Sequence, residues 1–266
     1  MSKSTDTKSS YQSEVFIMKK AAIKAAQSIV RDFGELERLQ VSRKGVSNFI
    51  TSADIRAEDR ITDELQHSGF KYNIESEERG FIKSDNNSEY TWIIDPIDGT
   101  NNFRRGIPYF CISIALTKDK CPVASVCLDP IRSNLFRASV NQGAYADGRN
   151  RIHVTSRIKL FESVVAIRSN DATLYSKLVK ANSIIRRTGS VALDLSYLAS
   201  GKYDAVIMDG VQWWDIAAGI VMVKEAGGFI EYSRLNNSFK LRAACTHRLF
   251  NEINNLSINY LIKSLK

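Results

Sequence analysis

Apolar residues at Val15, Met18, Ala22, Ala26, Ile29 and Phe33 recur at steps of three and four. That spacing predicts an amphipathic helix from Tyr11 to about Leu39, with Gly34 as a candidate interruption. Lys44-Gly45-Val46-Ser47-Asn48 is expected to be a loop. A second helix follows, capped by Asp54 or by the Thr51-Ser52 pair, with Ala57, Ile61 and Leu65 on one face and Ser68-Gly69 as its stop. Tyr72 to Ser76 is a short strand followed by Glu77-Glu78-Arg79-Gly80, and Lys83 to Glu89 is a polar loop. A strand then runs into Asp95. Phe110–Leu116, Val123–Leu128 and Leu135–Ser139 continue as strands broken by turns. Ala146-Asp147-Gly148-Arg149 signals a hairpin.

Near Asn150 the rhythm changes to alternating units. Strands are expected at Ser163–Ile167, Ser183–Arg187, Tyr203–Met208, Phe229–Tyr232 and Phe239–Ala244. Helices are expected at Ala172–Ala181, Val191–Ser200, Trp214–Ala226 and from about Leu249 to Ile262. Antiparallel-type strands first and alternating units later predict two fused α/β halves, 11–150 and 151–266, behind a disordered polar tail over 1–10.

Composition narrows the class. Hydrophobic residues make up 44% and charged residues 25% of 266, the balance of a folded domain. No apolar run reaches about 18 residues, so no membrane-spanning helix is expected. Cys111, Cys121, Cys127 and Cys245 form no Cys-x-x-Cys pair, and His67, His153 and His247 complete no zinc pattern with them. Free thiols and a cytoplasmic location are the expectation. The net charge of +8 attracts acidic partners, but the basic residues are spread along the chain, so nucleic acid is disfavoured as a partner.

The chemistry concentrates at Trp92-Ile93-Ile94-Asp95-Pro96-Ile97-Asp98-Gly99-Thr100-Asn101-Asn102-Phe103. A buried strand here ends in two carboxylates and a turn with accessible peptide N–H groups. Hard divalent cations take carboxylate oxygens, and phosphate takes N–H groups plus a cation. Glu77-Glu78 ends another strand, and Asp215 stands beside Trp213 and Trp214 at a helix start. Capping explains Asp215 alone, but three such acidic sites suggest a joint metal centre.

Asp95 to Phe103, Trp214-Asp215-Ile216-Ala217-Ala218-Gly219 and Glu225-Ala226-Gly227-Gly228 resemble the signatures of the inositol monophosphatase-like phosphatases. Glu77-Glu78, Phe49 to Asp54 and Leu128 to Gly148 match in the same order. The resemblance implies a layered α-β-α-β-α sugar-phosphatase fold and a Mg²⁺-dependent phosphomonoesterase acting on a small polyol or sugar phosphate such as inositol 1-phosphate. It implies that Glu77, Asp95, Asp98, Asp215 and the Ile97 carbonyl bind Mg²⁺, and that Glu77 and Thr100 serve catalysis by orienting an activated water. Gly99 and Thr100 would hold phosphate oxygens. Ile97, Asp98, Gly189, Ser190 and Asp215 would complete substrate binding. It also implies a homodimer.

Two positions depart from the family pattern. Asn48 stands where an acid is expected to pair with the equivalent of Thr100, and asparagine is a poor base. Met208 stands where inositol-specific members carry a hydroxyl-binding Glu, with Asp209 adjacent. Fructose 1,6-bisphosphate and 3′-phosphoadenosine 5′-phosphate are therefore alternative substrates. A non-enzymatic regulatory binder of RNA or protein is the alternative class.

Overall fold

The computed structural model describes residues 10–39 and 46–258. The expected tail, Lys44-Gly45 and the chain beyond Ile258 lie outside them. Two helices open the described chain, α1 (Gln12–Leu39) and α2 (Val46–Gln66). Helix α1 continues through Gly34. Met18, Ala22, Ile29 and Phe33 are buried, so packing outweighs the roughly 1 kcal/mol propensity cost of one glycine. Helix α2 begins at Val46 rather than near Thr51, which overturns the loop expected at Val46-Ser47-Asn48 and the proposed caps. Asp54 consequently sits two turns inside the helix, on the face that buries Ala53, Ala57, Ile61 and Leu65.

Eight strands form the first sheet: β1 (Asn73–Ser76), β2 (Gly80–Ile82), β3 (Tyr90–Asp98), β4 (Cys111–Lys118), β5 (Cys121–Asp129), β6 (Asn134–Ser139), β7 (Gly143–Ala146) and β8 (Asn150–Ile152). Their spatial order is β2-β1-β3-β4-β5-β6-β7-β8, antiparallel except for the β1–β3 pair. The short α3 (Thr100–Arg104) follows β3. Strands β7 and β8 meet through the Asp147-Gly148 turn, where both residues have positive φ, as the hairpin signal predicts.

The second sheet, in the order β10-β9-β11-β13-β12, is built from β9 (Val164–Arg168), β10 (Ile184–Arg186), β11 (Ala205–Val211), β12 (Phe229–Leu235) and β13 (Ser238–Ala244). Helices α4 (Ala172–Lys180), α5 (Val191–Ala199), α6 (Trp213–Glu225) and α7 (His247–Ile258) accompany it. Helices α1 and α2 pack on one face of the first sheet, and α6 packs on β3–β7 from the other. Helices α5 and α6 contact each other and also meet the second sheet, which α4 and α7 contact as well. The result is five layers, α-β-α-β-α. Helix α6 is apolar nearly all round, with Ile216 through Val223 buried, because both of its sides face protein.

Candidate active site

The site begins with a parity problem. Residues three apart on a regular strand point to opposite faces. In β3, Asp95 pairs with Ser113 and Asp98 with Cys111, so three steps on one strand match two on its neighbour. The extra residue is a bulge at Pro96-Ile97, where proline has no N–H to give the ladder. The bulge restores parity, and both aspartates reach the same place. Asp215, in the first turn of α6, joins them: one carboxylate oxygen from each of the three lies within 4.8 Å of the others.

Each carboxylate is anchored through one oxygen. Asp95 Oδ1 accepts from Ile97 N at 3.1 Å. Asp98 Oδ2 accepts from Ser190 Oγ at 2.6 Å and Ala192 N at 2.7 Å. Asp215 Oδ2 accepts from Gln212 N at 2.8 Å. Hydrogen bonds to charged groups contribute about 1.5–3 kcal/mol each, which offsets part of the cost of burying the acids and fixes their planes. Ser190 and Ala192 stand at the start of α5, so the second half of the chain orients an acid from the first. Asn102 adds a further tie, donating from Nδ2 to the carbonyls of Tyr109 and Thr188, each at 2.7 Å.

Glu77, Asp95, Ile97, Asp98, Gly99, Thr100, Gly189 and Asp215 all line one cavity of about 300 Å³. Glu77 leaves the end of β1, and its N–H reaches Ile94 O beside the acid-bearing end of β3. Thr100 Oγ1 donates to the Ile97 carbonyl at 3.1 Å. Ser190 is fully buried, lines the adjoining cavity and gives its hydroxyl to Asp98. Two glycines are required here. Gly99 has φ of 103°, and a Cβ would meet Phe110 Cβ at 3.1 Å. Gly189 has φ of 95°, and a Cβ would come within 2.9 Å of Asn102 Nδ2.

The acids repel one another in a buried setting. Burial, then the charges of Asp98, Glu77 and Asp215, hold the Asp95 carboxyl well above the usual carboxylate range. Burial and Asp98 push Asp215 up to about 7. Burial and Glu78 push Glu77 up to about 7. An all-oxygen donor set with excess negative charge is what a hard divalent cation neutralises, so the residues fit such an ion.

Asp54 was not among the expected site residues. It is 4% exposed, and burial together with Glu78 and Glu77 raises its pKa to about 8. Its charge acts on Asp95, and Arg104 of α3 acts on it. The Asn48 side chain lies outside the described residues; Asp54, from the same helix, acts on the site through its charge. The signal was present in the sequence. Asp54 and Glu58 are one helical turn apart on the face of Ala53, Ala57 and Ile61, where solvated acids are not expected. Arg168, at the end of β9, also lines the cavity and was not anticipated.

The chain belongs to the inositol monophosphatase family: residues 11–247 match the profile of the Inositol monophosphatase family. The inositol-1-monophosphatase of Mesorhizobium japonicum is 40% identical over 223 residues, 80% of this chain and 83% of that protein. The Nus factor SuhB of Xylella fastidiosa is 38% identical over 225 residues, 81% of this chain and 80% of that protein. Among solved structures, the extragenic suppressor protein SuhB of Bartonella henselae superposes with a TM-score of 0.82 at 32% identity, over 92% of this chain and 99% of that one. The inositol monophosphatase of Anabaena (Nostoc) sp. gives 0.80 at 26% identity, over 93% and 96%. The family and the layered fold expected from the sequence are thereby shown, and family membership supports a phosphatase.

Proposed function

We propose that the chain is a Mg²⁺-dependent phosphomonoesterase for a small polyol or sugar phosphate, with inositol 1-phosphate, fructose 1,6-bisphosphate and 3′-phosphoadenosine 5′-phosphate as the substrates to compare. The observation that carries this reading is the convergence of Asp95, Asp98 and Asp215 beside the Gly99-Thr100 turn in one cavity. Asp95, Asp98, Asp215, Glu77 and the Ile97 carbonyl would hold the cations. Divalent ions supply charge neutralisation for the phosphoryl group and lower the pKa of water. The protein presents the first peptide groups of α3 to the phosphate. It holds Thr100 by its bond to Ile97 and places Glu77 in the same cavity to help orient the water. Water adds its oxygen to phosphorus, the P–O ester bond breaks, and the alcohol leaves with a proton.

The four cysteines are free thiols, which supports a reducing compartment such as the cytoplasm, and no described helix is long and apolar enough to cross a membrane. A homodimer rests on the family resemblance alone.

Relatives named Nus factor SuhB, together with the +8 charge, favour a second reading in which the fold also engages RNA or a protein. A phosphate-release screen over polyol, sugar and nucleotide phosphates separates the two. The enzyme reading predicts release with Mg²⁺ and none in excess chelator. Full release in chelator would overturn the metal dependence. Silence across the panel, with salt-sensitive RNA binding, would favour the second reading.

A further inference from the structure

Asp95, Asp98 and Asp215 converge on one another, but Glu77 is outside that group, although it lines the same cavity. It also stands on a different support. Asp95 and Asp98 belong to β3 and Asp215 to α6, both of which are packed on two sides. Glu77 opens the exposed turn 77–79 that joins β1 to β2. Its own backbone tie is the N–H bond to Ile94 O at 3.3 Å. A side chain on such a turn is placed only as well as the residues on either side of it are held.

One carboxylate holds both neighbours. Glu58 of α2 is fully buried and does not line the cavity. Its Oε1 accepts from Ser76 Oγ at 2.7 Å, and its Oε2 accepts from Glu78 N at 3.2 Å. Ser76 and Glu78 flank Glu77, so the two oxygens straddle it. Arg79, at the end of the turn, reaches Glu58 Oε1 at 3.6 Å and also pairs with Asp59. A buried carboxylate is costly even when its lone pairs are filled. Joining α2 to the sheet does not require one, because Ala53, Ala57, Ile61 and Leu65 already share an apolar cluster with Ile74 and Ile94. What the carboxylate adds is two acceptors at the spacing of the turn.

We propose that Glu58 is a positioning residue: it clamps the chain on both sides of Glu77 and thereby sets how tightly the site holds a divalent cation. This rests on the metal assignment in the proposed function, with Glu77 as one of the ligands. Glu58 acts through Glu77 and through no contact of its own with ion or substrate.

The test is Mn²⁺ binding to the metal-free protein, followed by loss of the free-ion electron paramagnetic resonance signal, with thermal unfolding measured alongside. Glu58→Ala should raise the Mn²⁺ dissociation constant about tenfold, the usual scale for a group that orients a ligand from behind. Glu58→Gln should restore most of that loss, because its carbonyl can accept from Glu78 N while its amide donates to the Ser76 hydroxyl. Ser76→Ala removes one of the two bonds and leaves Glu58 in place. It should raise the constant about threefold, and it carries the test if Glu58→Ala does not fold. Glu77→Ala should itself weaken binding, and adding Glu58→Ala or Ser76→Ala to it should cost nothing further, since the residue they position is gone.

Unchanged affinity in Glu58→Ala, or in Ser76→Ala where that variant stands in, with only the unfolding midpoint lowered, would make Glu58 a structural tie and overturn the proposal. Glu58→Gln as weak as Glu58→Ala would assign the effect to charge rather than to the clamp, and additive losses on Glu77→Ala would show that Glu58 does not act through Glu77. Both outcomes overturn the proposal and leave the metal centre standing. An unaltered protein that binds no Mn²⁺ would overturn the metal assignment itself, and this proposal with it.

Discussion

Asp95→Asn is expected to lower Mg²⁺-dependent phosphate release on the order of a thousandfold while making the metal-free protein more stable at pH 8. The two effects have one cause. Asp95 is 1% exposed and feels the charges of Asp98, Glu77, Asp215 and Asp54. The amide keeps the shape and can still accept from Ile97 N, but it removes one negative charge from the cluster. The sign of the pH effect follows from proton counts. The carboxyl of Asp215 titrates near 3.8 in the unfolded chain and near 7 in the fold. Glu77 moves from 4.5 to about 7. Between those values the folded protein holds protons that the unfolded chain has released, so its stability falls as pH rises through about 4 to 7. Thermal unfolding without metal should therefore show a midpoint that declines over this window, less steeply in D95N. Mg²⁺ should raise the midpoint of the unaltered protein and have little effect on the variant. A variant that keeps most of its turnover would remove Asp95 from the metal set.

The second large effect is structural. Gly219 of α6 lies against α5, and a Cβ there would collide with Leu195 Cδ1 and fall 2.6 Å from Leu195 Cβ. Leu195 cannot yield at its own Cβ without moving α5. Gly219→Val should destabilise the fold by about 3 kcal/mol despite removing a helical glycine, because overpacking outweighs propensity. The cost should reach the site as well. Helix α6 carries Asp215, and the start of α5 supplies Ser190 and Ala192 to Asp98. Separating the helices pulls these groups apart, so chemical denaturation and Mg²⁺ affinity should deteriorate together. A variant with unchanged unfolding midpoint would show that α5 and α6 can slide apart at no cost.

Much of this was legible in the chain. The strands of both sheets follow the alternation and turn signals, and the amphipathic faces of α1 and α2 bury the expected apolar residues, with Ala26 half-buried. The proximity of Asp95, Asp98 and Asp215 was suggested by their places at a strand end and a helix start and was implied by the family resemblance. The β3 bulge did not, because pairing register depends on β4 and not on local sequence. Asp54 was obscured by a misplaced helix start: treated as a cap, it looked solvated, whereas α2 begins eight residues earlier and buries it. The short α3 and β2 carry too few residues for a periodic signal. Arg168 looked like one of many dispersed basic residues, and only the packing of β9 beside the acids gives it a cavity to line.

The account stands on cations seated among acids from β1, β3 and α6. Crystals soaked in Mn²⁺ and measured at its absorption edge test it directly. Anomalous peaks at about 2.2 Å from carboxylate oxygens of Asp95, Asp98 and Asp215, and lost in D95N, are the predicted result. Crystals with no peak among these three residues at saturating Mn²⁺ would contradict it.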